Sequence, residues 1–140
     1  YFTKLAETLF PIGAAGLLVA NFEGEPVASL IYYTDGETVV YAHAGSYARL
    51  RKLGPATALL VELLHRAHQW GCKSVDLFGI APDGAPDNHP WMGFTKFKLG
   101  FHGTPVDRSG TWELPLKKGR YALAKLTVRV YDAIKRQKKH

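Results

Sequence analysis

Between Gly54 and Gly71, apolar residues recur at the spacing of one helix face: Ala56, Leu59, Leu60, Leu63, Leu64 and Ala67. Pro55 suits the first helical position, which needs no donor, and Gly71 stands where a C-terminal glycine belongs. A helix with a single apolar stripe must lay that stripe on something. The chain supplies β-rich runs on both sides: residues 14–22, 27–33 and 37–44 ahead, and residues 73–80 behind. Glu23-Gly24-Glu25-Pro26 reads as a turn, and Asp35-Gly36 between two β-rich runs is a hairpin signal. The first three runs therefore predict an antiparallel meander. The long helix is then a right-handed crossover to a fourth, parallel strand. A helix over residues 3–10, stopped by Pro11, precedes the meander. Short strands at 103–106 and 110–115 and a closing helix over 121–135 complete the order. This order predicts an α/β (α+β) fold, one mixed sheet flanked by helices, as a single domain over residues 1–140.

Composition narrows the class. At 140 residues, with 46% hydrophobic and 21% charged residues, the chain suits one soluble domain with a sizeable core. No apolar run approaches the ~18 residues a membrane span needs. The single Cys72 excludes an internal disulfide and every multi-cysteine metal site, and it fits a reducing compartment. The chain begins with Tyr1, and its first residues already read as helix, so a piece of a longer protein is expected. The net charge is +6, and four of the 18 basic residues lie in Lys135-Arg136-Gln137-Lys138-Lys139. Such a tail suits the negative end of a helix dipole, and it can also hold nucleic acid or an anionic membrane face.

Residues 88–103 hold the one charge that composition does not explain. Asn88 or His89 can cap a helix opened by Pro90. At ~100° per residue, Trp91, Phe94, Phe97 and Phe101 form an aromatic stripe. Lys96 points away from this stripe and Lys98 falls within it. A cation among rings must snorkel, stack or serve chemistry.

Other constellations carry weaker signals. Arg51-Lys52-Leu53-Gly54-Pro55-Ala56 has the spacing of an Arg-x-x-Gly-x-Ala anion cradle at a helix N-terminus. Pro55, however, deletes one of the donors such a cradle uses. Arg49, Arg51 and Lys52 can still meet phosphate. His65 and His68 lie one turn apart without a third ligand, so no metal site is expected. His43, His89 and His102 are expected near the cleft, and each is a candidate general base by residue type. Asp76, inside an apolar strand, needs backbone or cationic donors to be tolerated there. Asp83 and Asp87 read as turn residues.

The order of elements is similar to that of the N-acetyltransferase superfamily, in which two neighbouring parallel strands splay apart around an acyl donor or peptide. Three runs sharpen this: Val75-Asp76-Leu77-Phe78-Gly79-Ile80, then Gly93-Phe94-Thr95-Lys96-Phe97-Lys98-Leu99-Gly100-Phe101-His102-Gly103, then Gly110-Thr111-Trp112-Glu113-Leu114-Pro115. Together they resemble the Fem-type peptidoglycan bridge-forming aminoacyltransferases, with His102 standing where a glycine is common. The resemblance implies the C-terminal of two acetyltransferase-like lobes, the other lobe being absent here. It implies transfer of an amino acid from aminoacyl-tRNA to the stem peptide of UDP-MurNAc-pentapeptide or lipid II. It further implies no metal, no coenzyme A and no other cofactor. The setting would be cytoplasmic, with transient contact at the inner membrane face. Phe97-Lys98 matches the Phe-Lys of the family helix, which makes Lys98 the expected catalytic residue. Phe97 and Trp91 are then expected at the substrate, and Tyr47, Arg49, Arg51 and Lys52 at the precursor. Two other readings stand beside this one: an acyl-coenzyme A-dependent N-acyltransferase, and a non-catalytic RNA- or anion-binding module.

Overall fold

A computed structural model describes residues 1–110 and 112–137. Its elements in chain order are α1 (Phe2–Leu9), β1 (Ala15–Phe22), β2 (Glu25–Thr34), β3 (Thr38–Ser46), a 3-10 helix (Ala48–Leu53), α2 (Pro55–Gln69), β4 (Ser74–Asp76), α3 (Met92–Leu99) and α4 (Lys118–Gln137). They fall into two compact units, residues 1–103 and residues 104–140.

In the first unit the sheet order is β1-β2-β3-β4, antiparallel except for the parallel β3–β4 pair. Local chemistry accounts for each turn. Glu23 and Gly24 both take positive φ, as a two-residue hairpin loop requires. At the next turn Asp35 Oδ1 accepts the backbone N–H of Glu37 at 2.9 Å and of Thr38 at 2.7 Å, while Gly36 takes φ 91°. Pro26 cannot donate to a ladder, and beside it the register skips Val27. The β2–β3 register skips Ala42 in the same way, bulging β3 two residues beyond its last pairing with β4 at Val40.

The stripe of α2 lies on this sheet. Leu59, Leu60, Leu63 and Ala67 form the core with Leu18, Ala28, Leu30 and Val39, and Leu64 sits at the exposed edge of the stripe. Gly54 and Gly71 take φ 68° and 76° at its two ends. Cys72 N–H then bonds back to Ala67 O at 2.9 Å, closing the helix on its glycine. Tyr32 and Tyr41 pack towards this core. By strand alternation Tyr33 points to the other face, where it meets Tyr1, the residue that precedes α1.

Two expectations change. β4 is three residues long, where a strand over 73–80 was expected. Asp76 Oδ1 accepts the backbone N–H of Phe78 at 2.7 Å, and Phe78 takes φ 65°, which turns the chain off the sheet. β3 therefore continues through Tyr41–Ser46 after β4 has left it. The short strands expected at 103–106 and 110–115 are not formed among the described residues, Thr111 lying outside them. Val106, Trp112 and Leu114 are exposed. Their alternation has the period of a strand, but the described residues among them form no ladder.

In the second unit α4 begins three residues before the expected position. Lys125 Nζ lies 3.2 Å from Glu113 Oε2 and over the ring of Tyr121 at 4.8 Å. Lys138 and Lys139 of the basic tail lie outside the described residues.

Candidate active site

Where β4 leaves the sheet, its backbone loses ladder partners, and a buried backbone group without one is costly. Helix α3 supplies the replacements. Thr95 Oγ1 accepts the N–H of Ala81 at 2.9 Å and donates to Trp91 O at 2.7 Å. Lys98 Nζ donates to Gly79 O at 2.7 Å. The buried residues of α3 are thus its threonine and one lysine, not its rings. The helix docks on residues 78–81 through polar bonds.

Lys98 is 9% exposed. Its ammonium lies 5.0 Å from the centre of the Phe94 ring, a cation–π distance. Burial holds its pKa below the usual lysine value, and the negative charge of Asp76 partly opposes that shift. The result is a cation covered by protein and bonded to a carbonyl. Lys96 points to solvent as expected and lies 3.7 Å from Asp87.

The aromatic stripe divides in two. Phe97 and Phe101 meet edge to face at 5.4 Å and pack against the main core. Trp91 and Phe94, 5.7 Å apart, stay partly exposed beside Lys98. Phe78 adds a third ring, 67% exposed on a backbone with positive φ. Such a conformation is costly for a bulky residue and recurs at functional sites. The helix begins at Met92, after the position expected of Pro90, and neither Asn88 nor His89 caps it: Trp91 holds the cap position, and His89 Nδ1 accepts the N–H of Trp91 at 3.2 Å just ahead of the helix. His102 takes φ 56° in the turn after α3. That is the conformation glycine adopts most freely, and histidine is among the residues that tolerate it.

Tyr47, Arg49, Arg51 and Lys52 are all exposed, on the stretch that leaves β3. The parallel register puts this exit at the same end of the sheet as the exit of β4. Arg49 lies over the Tyr47 ring at 5.7 Å. Pro55 is buried at the start of α2 with no N–H to offer. His43 Nε2 lies 3.1 Å from Tyr33 Oη, with the rings of Tyr1, Phe2 and Tyr33 around the imidazole. His65 pairs with Gln69 along α2, and no group of three metal-ligating side chains occurs among the described residues. A shallow pocket lined by Tyr32, Thr34, Trp70 and Cys72 lies at the opposite end of the sheet and holds no charged side chain.

Sequence reasoning singled out Lys98 and missed Thr95, Phe78 and the role of Tyr33. Thr95 carried a faint signal, a β-branched hydroxyl residue one turn before a misplaced lysine. Phe78 carried none, because a ring at the end of an apolar strand reads as core.

The geometry can place a positive charge against a developing anion, beside rings able to stack on a planar group. Known proteins agree with the scaffold. The ribosomal-protein-alanine N-acetyltransferase of Brucella melitensis biovar Abortus 2308 superposes with a TM-score of 0.57 at 22% identity, over 79% of this chain and 78% of that one. The aminoglycoside 6'-N-acetyltransferase AAC(6')-IG of Acinetobacter haemolyticus gives 0.54 at 17%, over 81% and 78%. A transcriptional regulator of Bacillus halodurans C-125 gives 0.57 at 15%, over 81% and 75%. At these identities the likeness concerns the fold, that of the GNAT acetyltransferases. No curated protein matches the chain. The model of the FemAB family matches residues 17–129, well over half the chain and including every element from β2 to α3. On that match, the chain belongs to the FemAB family.

Proposed function

We propose that this lobe transfers an amino acid from aminoacyl-tRNA to the amine of a peptidoglycan stem peptide, carried by UDP-MurNAc-pentapeptide or lipid II. Family membership supports the transferase class. The observation that carries the reading further is Lys98, a covered cation held on a backbone carbonyl among exposed rings.

The amine nitrogen attacks the carbonyl carbon of the aminoacyl ester, and the carbonyl oxygen becomes an oxyanion. The Lys98 ammonium stabilises that oxygen. Collapse breaks the ester C–O bond, and the proton given up by the attacking amine passes to the ribose oxygen, which leaves as a hydroxyl. A preorganised donor of this kind contributes ~10²–10³ in rate. Phe78, Trp91 and Phe94 offer stacking to the terminal base, a contact worth ~1–3 kcal/mol per base. Phe97 acts from behind, fixing α3 through its packing. Tyr47, Arg49, Arg51 and Lys52 meet the phosphates of the precursor. The reaction uses neither metal nor coenzyme A, and it takes place in the cytoplasm with the second lobe present.

The test is a transfer assay on a chain carrying both lobes. Lys98→Met is expected to lower the rate by ~10²–10³, with the fold retained. Wild-type rate in that variant would reduce Lys98 to a structural residue. A second reading, acyl transfer from coenzyme A, is favoured by the exposed Arg51 and Lys52 ahead of Gly54 and opposed by Pro55. A melting temperature raised by coenzyme A, and unmoved by charged tRNA with precursor, would replace the first reading with the second.

A further inference from the structure

We propose that α4 lies on an anionic lipid surface, its apolar stripe among the acyl chains and its basic side among the headgroups. Charge is the first observation. Nine of the 18 basic residues and one of the 12 acidic ones fall in residues 117–140, so this stretch carries +8 and the rest of the chain −2. The basic character of the protein therefore resides in its last element.

The second observation is the helix itself. Over Lys118–Gln137, Leu123, Leu126, Val130 and Ile134 fall within about 80° at 100° per residue. Lys118, Lys125 and Arg129 cluster on the far side. Among the described residues of its own unit nothing covers the stripe: those four apolar residues are at least half exposed. Trp112, Leu114 and Leu116, just ahead of the helix, are more exposed still. Among the described residues no helix is long and apolar enough to cross a membrane. A basic helix with an open apolar stripe that cannot span is the kind that lies in the interface, where Trp and Tyr are also favoured.

Both halves of the helix decide between occupants. An RNA would neutralise the basic side and leave the leucines in water. A protein helix would cover the leucines and leave the net positive charge of α4, six basic residues against one acidic, without counter-charge. An anionic bilayer satisfies the two at once.

The test uses the 140-residue chain and vesicles of phosphatidylcholine, with or without one-third phosphatidylglycerol. The chain is expected to pellet with the anionic vesicles and at least about tenfold more weakly with the neutral ones. High salt should release much of it, since counterions screen the basic side. The double variant Leu126→Glu/Val130→Glu should lose binding with its melting temperature unchanged. Failure of the wild type to pellet overturns the proposal without needing any variant. Undiminished binding by the double variant also overturns it, because charge alone would then suffice. A lowered melting temperature in that variant overturns it too, since the stripe would then be packed in the fold. An RNA hairpin that binds both proteins equally, while vesicles bind neither, would make the basic side an RNA contact instead. The vesicles hold no cell-wall precursor, so this result is independent of the transfer reaction: loss of transfer with binding retained would fault only the reaction.

Discussion

Thr95 offers the cleanest test of how the site is held. Replacement by valine keeps the branched shape and removes the hydroxyl, so no cavity opens. Two hydrogen bonds disappear, with unequal cost. Trp91 O keeps its bond from the backbone N–H of Thr95 at 2.9 Å, so losing the hydroxyl proton matters little there. The N–H of Ala81 loses its acceptor, and Ala81 is 6% exposed. An orphaned buried donor costs ~1–3 kcal/mol. Taking ~2 kcal/mol, and ~3 °C per kcal/mol for a chain of this size, the melting temperature should fall by about 6 °C. Thr95→Ser keeps the oxygen and should recover most of the loss. The assay is thermal unfolding by circular dichroism, with hydrogen exchange at the Ala81 amide as a local readout. That amide should exchange faster in the valine variant even where the core does not. A valine variant melting with the wild type, with Ala81 still protected, would refute the idea that α3 is docked by polar bonds.

The acid–base behaviour of Lys98 gives a second prediction. Its native pKa lies below the ordinary 10.5, so between the two values the unfolded chain holds more protons. The cost of burying the cation is then felt in full below the native pKa and disappears as pH rises through that window. Transfer activity should move the other way, falling as pH rises through the native pKa, and Lys98→Arg should remove that alkaline limb from the rate profile. In the core, Leu60→Ala should cost ~2–5 kcal/mol, because Leu60 is fully buried. Leu64→Ala on the same helix should cost under about 1 kcal/mol, and equal losses in denaturant titrations would contradict the observed orientation of α2.

The meander, the crossover helix and its glycines were legible because each rests on local chemistry: Asp35-Gly36, Gly54-Pro55, Gly71 and a stripe of leucines. The length of β4 was not. Its apolar run continues to Ile80, and only the carboxylate of Asp76 folding back on the Phe78 N–H ends it. That is a choice between two partners for one N–H, which periodicity cannot express. The strands expected near Trp112 rested on alternation alone, which describes a strand's faces and names no partner for its backbone. Lys98 stood out because a charge interrupts a run of rings. Thr95 stayed hidden because its partner is a backbone group fourteen residues away.

The parallel ladder has a consequence for the order of assembly. Thr38 and Ser74 face one another across 36 residues of sequence, while the β1–β2 and β2–β3 pairs are closed by tight turns. Loop closure favours the hairpins first, and non-local pairing is slow. Residues 78–81 can be fixed only after β4 has docked, and α3 only after them. The lysine therefore reaches its seat among the last steps of folding. On partial unfolding it should be among the first groups to leave that seat, so the candidate site would be lost while the leucine core still holds.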